Sequence, residues 1–437
     1  MSTARLAGDV RELYSARVDG SRLIRTIESL SLIGADPAGG ISRLGLTSAE
    51  GAGRELVAGI ARSYGLQTET DAAANLIIRR SRPDPGRPVL LLGSHLDTVV
   101  QGGALDGAYG LLAALEVLRA VSSCDLDSTY EPVVIGFSNE EGAWIPCPFW
   151  GSKAVTGQLV EPELLKVRDG RSIRQALHEA GGNFDRLGTA QWPAGSIGCY
   201  LELHIEQGST LETAGVPLGI VSAVTGRTVV AITVDGEQNH AGTTPMPARR
   251  DALAAAARIV LALEGMARDE RRCAVATVGI LEVDSGSTNV IPGRVRLTAE
   301  FRDPVQRNLD RAELRMVEQL AAIADSCGVE VAHQVTMRRP PSSCDPALLD
   351  RIATAAHRLA APTLTMHSGA GHDSQIIADQ APIGMIFVPS RGGMSHCPQE
   401  HTPADQLVLG ADLLLQSVLA TLADPIGPAA AGCEPLS

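Results

Sequence analysis

Two unbroken apolar runs, each ending in a knot of polar residues, constrain this chain more than any other feature. Pro88-Val-Leu-Leu-Leu-Gly-Ser-His-Leu-Asp-Thr-Val99 leads into His95 and Asp97, and Pro132-Val-Val-Ile135 leads into Gly136-Phe-Ser-Asn-Glu-Glu-Gly142. Between them GLLAALEVLRAV, residues 110–121, has helical spacing. Strand, helix, strand in this rhythm predicts a mostly parallel sheet covered by helices. In such sheets ligands gather outside the carboxyl ends of the strands. The two polar knots are therefore expected to be neighbours in space. Glu140 and Glu141 sharpen the point: adjacent carboxylates at the end of a buried strand repel and are poorly solvated, and a nearby cation relieves both problems.

The texture changes near residue 216. Alternating strands, RTVVAITVDG at 227–236 and RVRLTAEFRD at 294–303, are interleaved with helical stretches at 249–267 and 309–328. That order predicts a small α+β domain, two layers with an antiparallel sheet, at 216–332. It is inserted into an α/β domain made of 1–215 and 333–437. Helix and strand patterns return at 347–360 and 383–388, and the segment from 424 onward reads as a loose tail.

Composition excludes several roles. With 437 residues, 44% hydrophobic and 20% charged, the chain can bury a large core without disulfide staples. A formal charge of −13 argues against nucleic acid or an anionic membrane as partner. No run approaches 18 consecutive apolar residues, and residues 1–20 lack a signal-peptide hydrophobic stretch. The eight cysteines show no CxxC, which reads as thiols in a reducing cytoplasm.

Five segments carry metal-type side chains: GSHLDT (His95, Asp97), LDG (Asp106), SNEEG (Glu140, Glu141), LELHIEQG (His204) and MSHCPQEHT (His396, Glu400, His401). Mixed histidine and carboxylate donors suit Zn²⁺ and similar ions. Singly, each has an ordinary structural explanation; several at the strand ends of one sheet point to a shared site.

Taken with Asn239-His-Ala-Gly-Thr-Thr-Pro-Met246, Asn289-Val-Ile-Pro-Gly293 and Gly369-Ala-Gly-His-Asp373, these motifs resemble the metallopeptidase-like amidohydrolases. That family includes N-carbamoyl-L-amino-acid hydrolases, allantoate amidohydrolases and one type of β-ureidopropionase. The resemblance spans about residues 20–420. It implies a metallopeptidase-like catalytic domain with an inserted dimerisation and lid domain. Two divalent ions (Zn²⁺, Mn²⁺, Co²⁺ or Ni²⁺) would be held by His95, Asp106, Glu141, His204 and His396, with Asp106 bridging. Glu140 would be the general base, and Asp97 would orient His95 or simply cap the strand end. Gln207 would bond a ureido group, and His240 would reach the active site as the domain closes, often across a dimer, and stabilise an oxyanion. Arg302 and Asn289 would grip a substrate carboxylate, helped by backbone N–H groups at Gly369 and Ala370. Arg302 could instead pair with Glu300 or Asp303, and Asn289 could serve a turn.

The implied reaction is hydrolysis of the carbamoyl C–N bond of an N-carbamoyl-L-amino acid, a small ureido-acid substrate. Allantoate or β-ureido acids on the same site, a dipeptidase or N-acyl deacylase, and an inactive binding paralogue are the alternatives. The bulky WIPCPFW stretch departs from the family pattern; Trp144, Phe149 and Trp150 either line a substrate pocket or fill core.

Overall fold

The computed structural model describes residues 14–426 apart from 81–83, 85, 125–127 and 285. Segment 1–13, most of the expected tail and Cys433 lie outside the described residues.

The chain separates into two compact units, one of Met1–Ser222, Ser343–Met366 and Gly371–Ser437, the other of Ala223–Ser342 and His367–Ala370. The breaks fall later than residues 216 and 332. Strand pairing explains the shift. Leu218–Val224 pairs with Ile383–Val388 and so extends the large sheet. Glu330–Arg339 pairs with Gly226–Asp235, which carries the small sheet past residue 332.

The large unit is built on a nine-stranded mixed sheet. Its centre is parallel, in the order Glu131–Phe137, Val89–His95, Ile197–Ile205, Ile383–Val388. Antiparallel strands flank this centre, Leu76–Arg79 on one side and Leu218–Val224 on the other. Every residue of Val89–His95 and Glu131–Phe137 is buried. An unbroken apolar run has this consequence: both faces must be covered by helices. The helix Ala108–Ser122 lies on the sheet and shares a core with Ala404–Ala423 and Pro346–Arg358, through residues such as Leu112, Leu115, Leu414, Val418 and Ile352. Ala404–Ala423 is long and apolar enough, by length and composition, to cross a membrane. Most of its side chains are buried in this core.

The smaller unit is a four-stranded antiparallel sheet in the order Glu330–Arg339, Gly226–Asp235, Arg294–Asp303, Val275–Val283. Gly226–Asp235 buries alternate residues, the period-two pattern of a sheet covered on one face. The helices Ala252–Arg268 and Gln306–Cys327 cover that face. Ile259, Leu263, Met316 and Leu320 share a core with Val230, Ile232, Leu297 and Phe301.

Candidate metal centre

All four parallel strands of the large unit deliver functional side chains at or just beyond their carboxyl ends. His95 closes Val89–His95, and His204 is the penultimate residue of Ile197–Ile205. Glu140 and Glu141 follow Glu131–Phe137, and His396 lies beyond Ile383–Val388. Asp106 is presented by the turn before the helix Ala108–Ser122. Gly107 in that turn has φ 62°, and a Cβ there would fall 2.4 Å from the His95 ring. Only glycine lets the turn and the imidazole share this space.

Asp106 is the hub. Its Oδ1 lies 3.3 Å from His204 Nε2 and 3.9 Å from His95 Nε2, and its Oδ2 lies 3.0 Å from His396 Nε2. His396 Nε2 is also 3.3 Å from Glu141 Oε1, and His95 Nε2 is 3.8 Å from Glu140 Oε2. Two groups, His95–Asp106–His204 and Asp106–Glu141–His396, each bring their ligand atoms within 4.8 Å of one another and share Asp106. Two donors on one tetrahedral ion with bonds of about 2.1 Å stand roughly 3.4 Å apart, so these spacings need little adjustment.

The chemistry of the donors fits a divalent metal. His95 Nδ1 meets the backbone carbonyl of Asp97 at 3.0 Å, and His204 Nδ1 meets that of Ile205 at 2.9 Å. Each Nδ1 therefore carries the proton and leaves Nε2 as an acceptor beside Asp106; on His204 that nitrogen takes the Gly107 N–H at 3.2 Å. Among the described residues, Asp106, Glu140 and Glu141 have no arginine or lysine ion pair; their titratable nitrogen neighbours are imidazoles. Burial, and next the charge of Glu141, pushes the Glu140 carboxyl well above the usual carboxylate range. Hydrogen bonds to Asp106 and then Glu141 raise the His396 imidazole to about 11. Burial works against ionisation of Asp106, but the His396 hydrogen bond and the imidazoles around it hold its carboxyl below the ordinary range. A proton on His396 thus balances charge that a bound cation would balance, and ion binding would expel it.

The surrounding residues act through the backbone. The Asp97 carboxylate accepts from Glu140 N at 2.9 Å and Glu141 N at 3.1 Å. Its Oδ1 stands 3.7 Å from His95 Nδ1, so His95 is oriented chiefly by the Asp97 carbonyl, while the carboxylate shapes the glutamate turn. Gln207 Nε2 donates to both Asp106 oxygens at 3.2 and 3.0 Å; its Oε1 is buried with no protein partner.

Three buried carboxylates other than the expected ligands and base complete the scaffold; of these only Glu400 was among the metal-type residues of the sequence. Glu400 accepts from Leu105 N, Asp106 N and Ser395 Oγ, which pins the Asp106 turn. Glu50 accepts from Ser138 Oγ and Asn139 N and fixes the start of the glutamate turn. Glu202 bonds Ser94 Oγ and Ser374 N. Glu400 stands four residues after His396, which is a usable sequence signal; Glu50, on the distant helix Ser48–Ser63, has none.

The remaining expected site residues belong to the smaller unit. His240 is exposed on a two-residue strand paired with Val290–Ile291. Its Nδ1 accepts from Gly242 N and Thr243 N at 3.0 and 3.2 Å, so Nε2 carries the proton and faces outward as a donor. Asn289 Oδ1 accepts from Ser287 Oγ, and its carbonyl accepts from Ala241 N, so it braces the His240 turn. Arg302 pairs through Nε with Glu300 at 2.6 Å and donates through Nη1 to Gly369 O at 2.7 Å. Ala370 N is already bonded to Ser368 Oγ at 3.2 Å, whereas a Cβ built on Gly369 would meet nothing within 4 Å.

A mixed sheet whose parallel strand ends gather histidines and carboxylates around one aspartate, with a separate two-layer unit, is the architecture of a metallopeptidase-type hydrolase. The chain belongs to peptidase family M20/M25/M40, whose pattern matches residues 91–420, and it is a hydrolase of amide C–N bonds. It is 38% identical over 403 residues to the N-carbamoyl-L-amino acid amidohydrolase of Geobacillus stearothermophilus, across 92% of this chain and 98% of that protein. It is 37% identical to the allantoate amidohydrolase of Bacillus subtilis, across 89% of this chain and 94% of that protein. The crystal structure of a Burkholderia multivorans amidase of the hydantoinase/carbamoylase family matches with a TM-score of 0.83 at 34% identity, over 94% of this chain and 100% of that one.

Proposed function

We propose that this enzyme hydrolyses the carbamoyl C–N bond of N-carbamoyl-L-amino acids, releasing the amino acid, ammonia and carbon dioxide. The observation that carries the reading is the orphaned Gln207 Oε1, a buried acceptor beside Asp106. A buried acceptor without a partner is costly, and a ureido N–H would satisfy it. A plain peptide substrate lacks the terminal NH₂ that distinguishes a ureido group.

His95, Asp106 and His204 would hold one divalent ion and Asp106, Glu141 and His396 a second; Zn²⁺, Mn²⁺, Co²⁺ and Ni²⁺ all accept such donors. When bound, such a pair supplies Lewis acidity and makes water acidic enough to lose a proton near neutral pH. Glu140 is the general base. It takes the proton from the attacking water and passes it to the leaving nitrogen. Asp97 holds Glu140 in place through its backbone N–H. From the smaller unit, His240 Nε2–H is proposed as the donor to the oxyanion. Arg302 and Asn289, with the Gly369–Ala370 backbone, are proposed for the substrate carboxylate, Arg302 by exchanging its bond to Gly369 O. A homodimer formed through the smaller unit and a cytoplasmic setting complete the proposal.

The second reading is allantoate, which also joins a ureido group to a carboxylate; the 37% identity to an allantoate amidohydrolase supports it. Ammonia release from N-carbamoyl-L-amino acids, N-carbamoyl-β-alanine and allantoate, beside cleavage of dipeptides and N-acetyl amino acids, separates the readings. Turnover confined to dipeptides or N-acetyl compounds would overturn the ureido assignment.

A further inference from the structure

Four non-glycine residues with left-handed backbone lie in or beside the candidate centre: Asn139, Phe149, Gln207 and His396. Gln207 and His396 belong to the centre itself, and Asn139 opens the glutamate turn. Phe149 is the exception, because the sequence left it between pocket wall and core filling. A bulky residue at φ 61°, ψ 32° is a genuine outlier, and such strain persists where the surroundings over-determine it.

The surroundings are specific. Phe149 N donates to Glu140 O at 2.8 Å, followed by Trp150 N to Asn139 O at 3.2 Å and Gly151 N to Ser138 O at 2.9 Å. These three bonds zip the segment onto the turn that carries Glu140. At its other end, the Phe149 ring rests on Gly371, where a Cβ would fall 2.8 Å from Cζ. The next residue, His372, packs edge-on to the His204 ring at 4.7 Å. Phe149 therefore spans two segments of the centre, and Lys153 Nζ lies 5.8 Å from its ring centroid. Its aromatic neighbours behave differently. Trp150 is fully buried and donates to Ala73 O at 3.0 Å, and Trp144 packs on the same small core. Phe149 is half-buried, a large apolar ring at the edge of a charged centre.

We propose that Phe149 is a specificity-determining residue, the wall against which the α-substituent of the substrate is sized. The proposal rests on the ureido-acid reading above. Binding sites place a few polar groups for orientation and use apolar surface to measure the rest of the ligand. The strained backbone fixes where that wall stands relative to Glu140.

The test measures kcat/KM for ammonia release from N-carbamoylglycine, N-carbamoyl-L-alanine and N-carbamoyl-L-leucine with added divalent metal. Wild type, Phe149→Ala, Phe149→Leu, Gly371→Ala and Gly371→Ala with Phe149→Ala are compared. Removing a wall should raise the leucine-to-glycine ratio by about tenfold or more, the range that a few methylenes command in an apolar pocket. Gly371→Ala should change the ratio when Phe149 is present and leave it unchanged when Phe149 is alanine. An equal fall for all three substrates, with the ratio unmoved, overturns the proposal and makes Phe149 structural. Should Phe149→Ala fail to fold, Phe149→Leu keeps an apolar side chain and carries the comparison. If wild type releases no ammonia but cleaves N-acetyl amino acids, the ureido reading fails by itself. The same ratio measured on the N-acetyl series then decides for or against the wall.

Discussion

The two units bury their strands differently, and their candidate functional groups differ in the same way. In the large unit Val89–His95, Glu131–Phe137 and Ile383–Val388 are buried at every residue. In the smaller one Gly226–Asp235 is buried at every second residue, and Val275–Val283 is mostly exposed. A strand covered on both faces can offer chemistry only at its end, and there His95, Asp106, Glu140 and His204 are buried, while His396, beyond the end of Ile383–Val388, is exposed. A strand covered on one face leaves polar groups at its margins in solvent, as His240 and Asn289 are. Buried charges must be balanced before substrate arrives, whereas exposed donors can wait for their partner. The large unit thus pre-organises most of its candidate groups in a buried site, and the smaller presents His240 and Asn289 to solvent.

The largest effect should come from removing the balancing cation. Dialysis against a chelator should abolish turnover, and re-adding Zn²⁺, Mn²⁺, Co²⁺ or Ni²⁺ should restore it with at least one of them. Metal analysis of the active protein should find about two ions per chain, the number that two donor groups sharing Asp106 would hold. Full activity in metal-free protein would break the contrast at its root, since the buried carboxylates would then need another partner.

Glu140→Gln separates proton transfer from charge balance. The substitution keeps the shape, and the group lies outside the two Asp106-sharing donor sets, so metal content should hold while kcat falls by about 10²–10⁴, the usual worth of a positioned base. Loss of metal together with activity would place Glu140 among the ligands instead.

His240→Ala tests the exposed side of the comparison. Loss of one oxyanion donor costs about 10²–10³ in kcat. The effect should fall on kcat more than on KM, because the oxyanion exists only in the transition state. A change in KM alone would make His240 a ground-state contact.

What was legible in the sequence follows the same division. That His95 would meet Glu140 and Glu141 could be read because apolar runs announce strands, and strand ends in a parallel sheet meet; Asp106, His204 and His396 joined the set through the family resemblance. The braces could not. Glu50 reaches Ser138 across 88 residues of sequence, and Glu400 reaches Leu105 across 295. No local pattern encodes such pairings. Orientation was also hidden. His95 and Asp97 stand two residues apart whether the carboxylate or the carbonyl meets the ring, and the structure favours the carbonyl. For Arg302 the alternatives were both visible, and in this structure the guanidinium is held by Glu300 and Gly369. The late domain breaks reflect strands whose pairing, not composition, assigns them to a sheet.

The smallest effect compares one methylene in the two sheets. Ile135 is fully buried in the central strand Glu131–Phe137, whereas Ile280, in Val275–Val283, is 53% exposed. Ile135→Val removes a methylene from a packed interior and should cost about 0.5–1.5 kcal/mol of stability in urea unfolding. Ile280→Val loses a group that water already reaches and should stay within about 0.5 kcal/mol. Equal costs at the two positions would mean that the open face of the smaller sheet is covered in solution, which is the outcome a dimer through that unit would produce. Repeating the pair of measurements across a hundredfold range of protein concentration decides the point. A cost at Ile280 that grows with concentration belongs to an interface, and one that does not belongs to the strand itself.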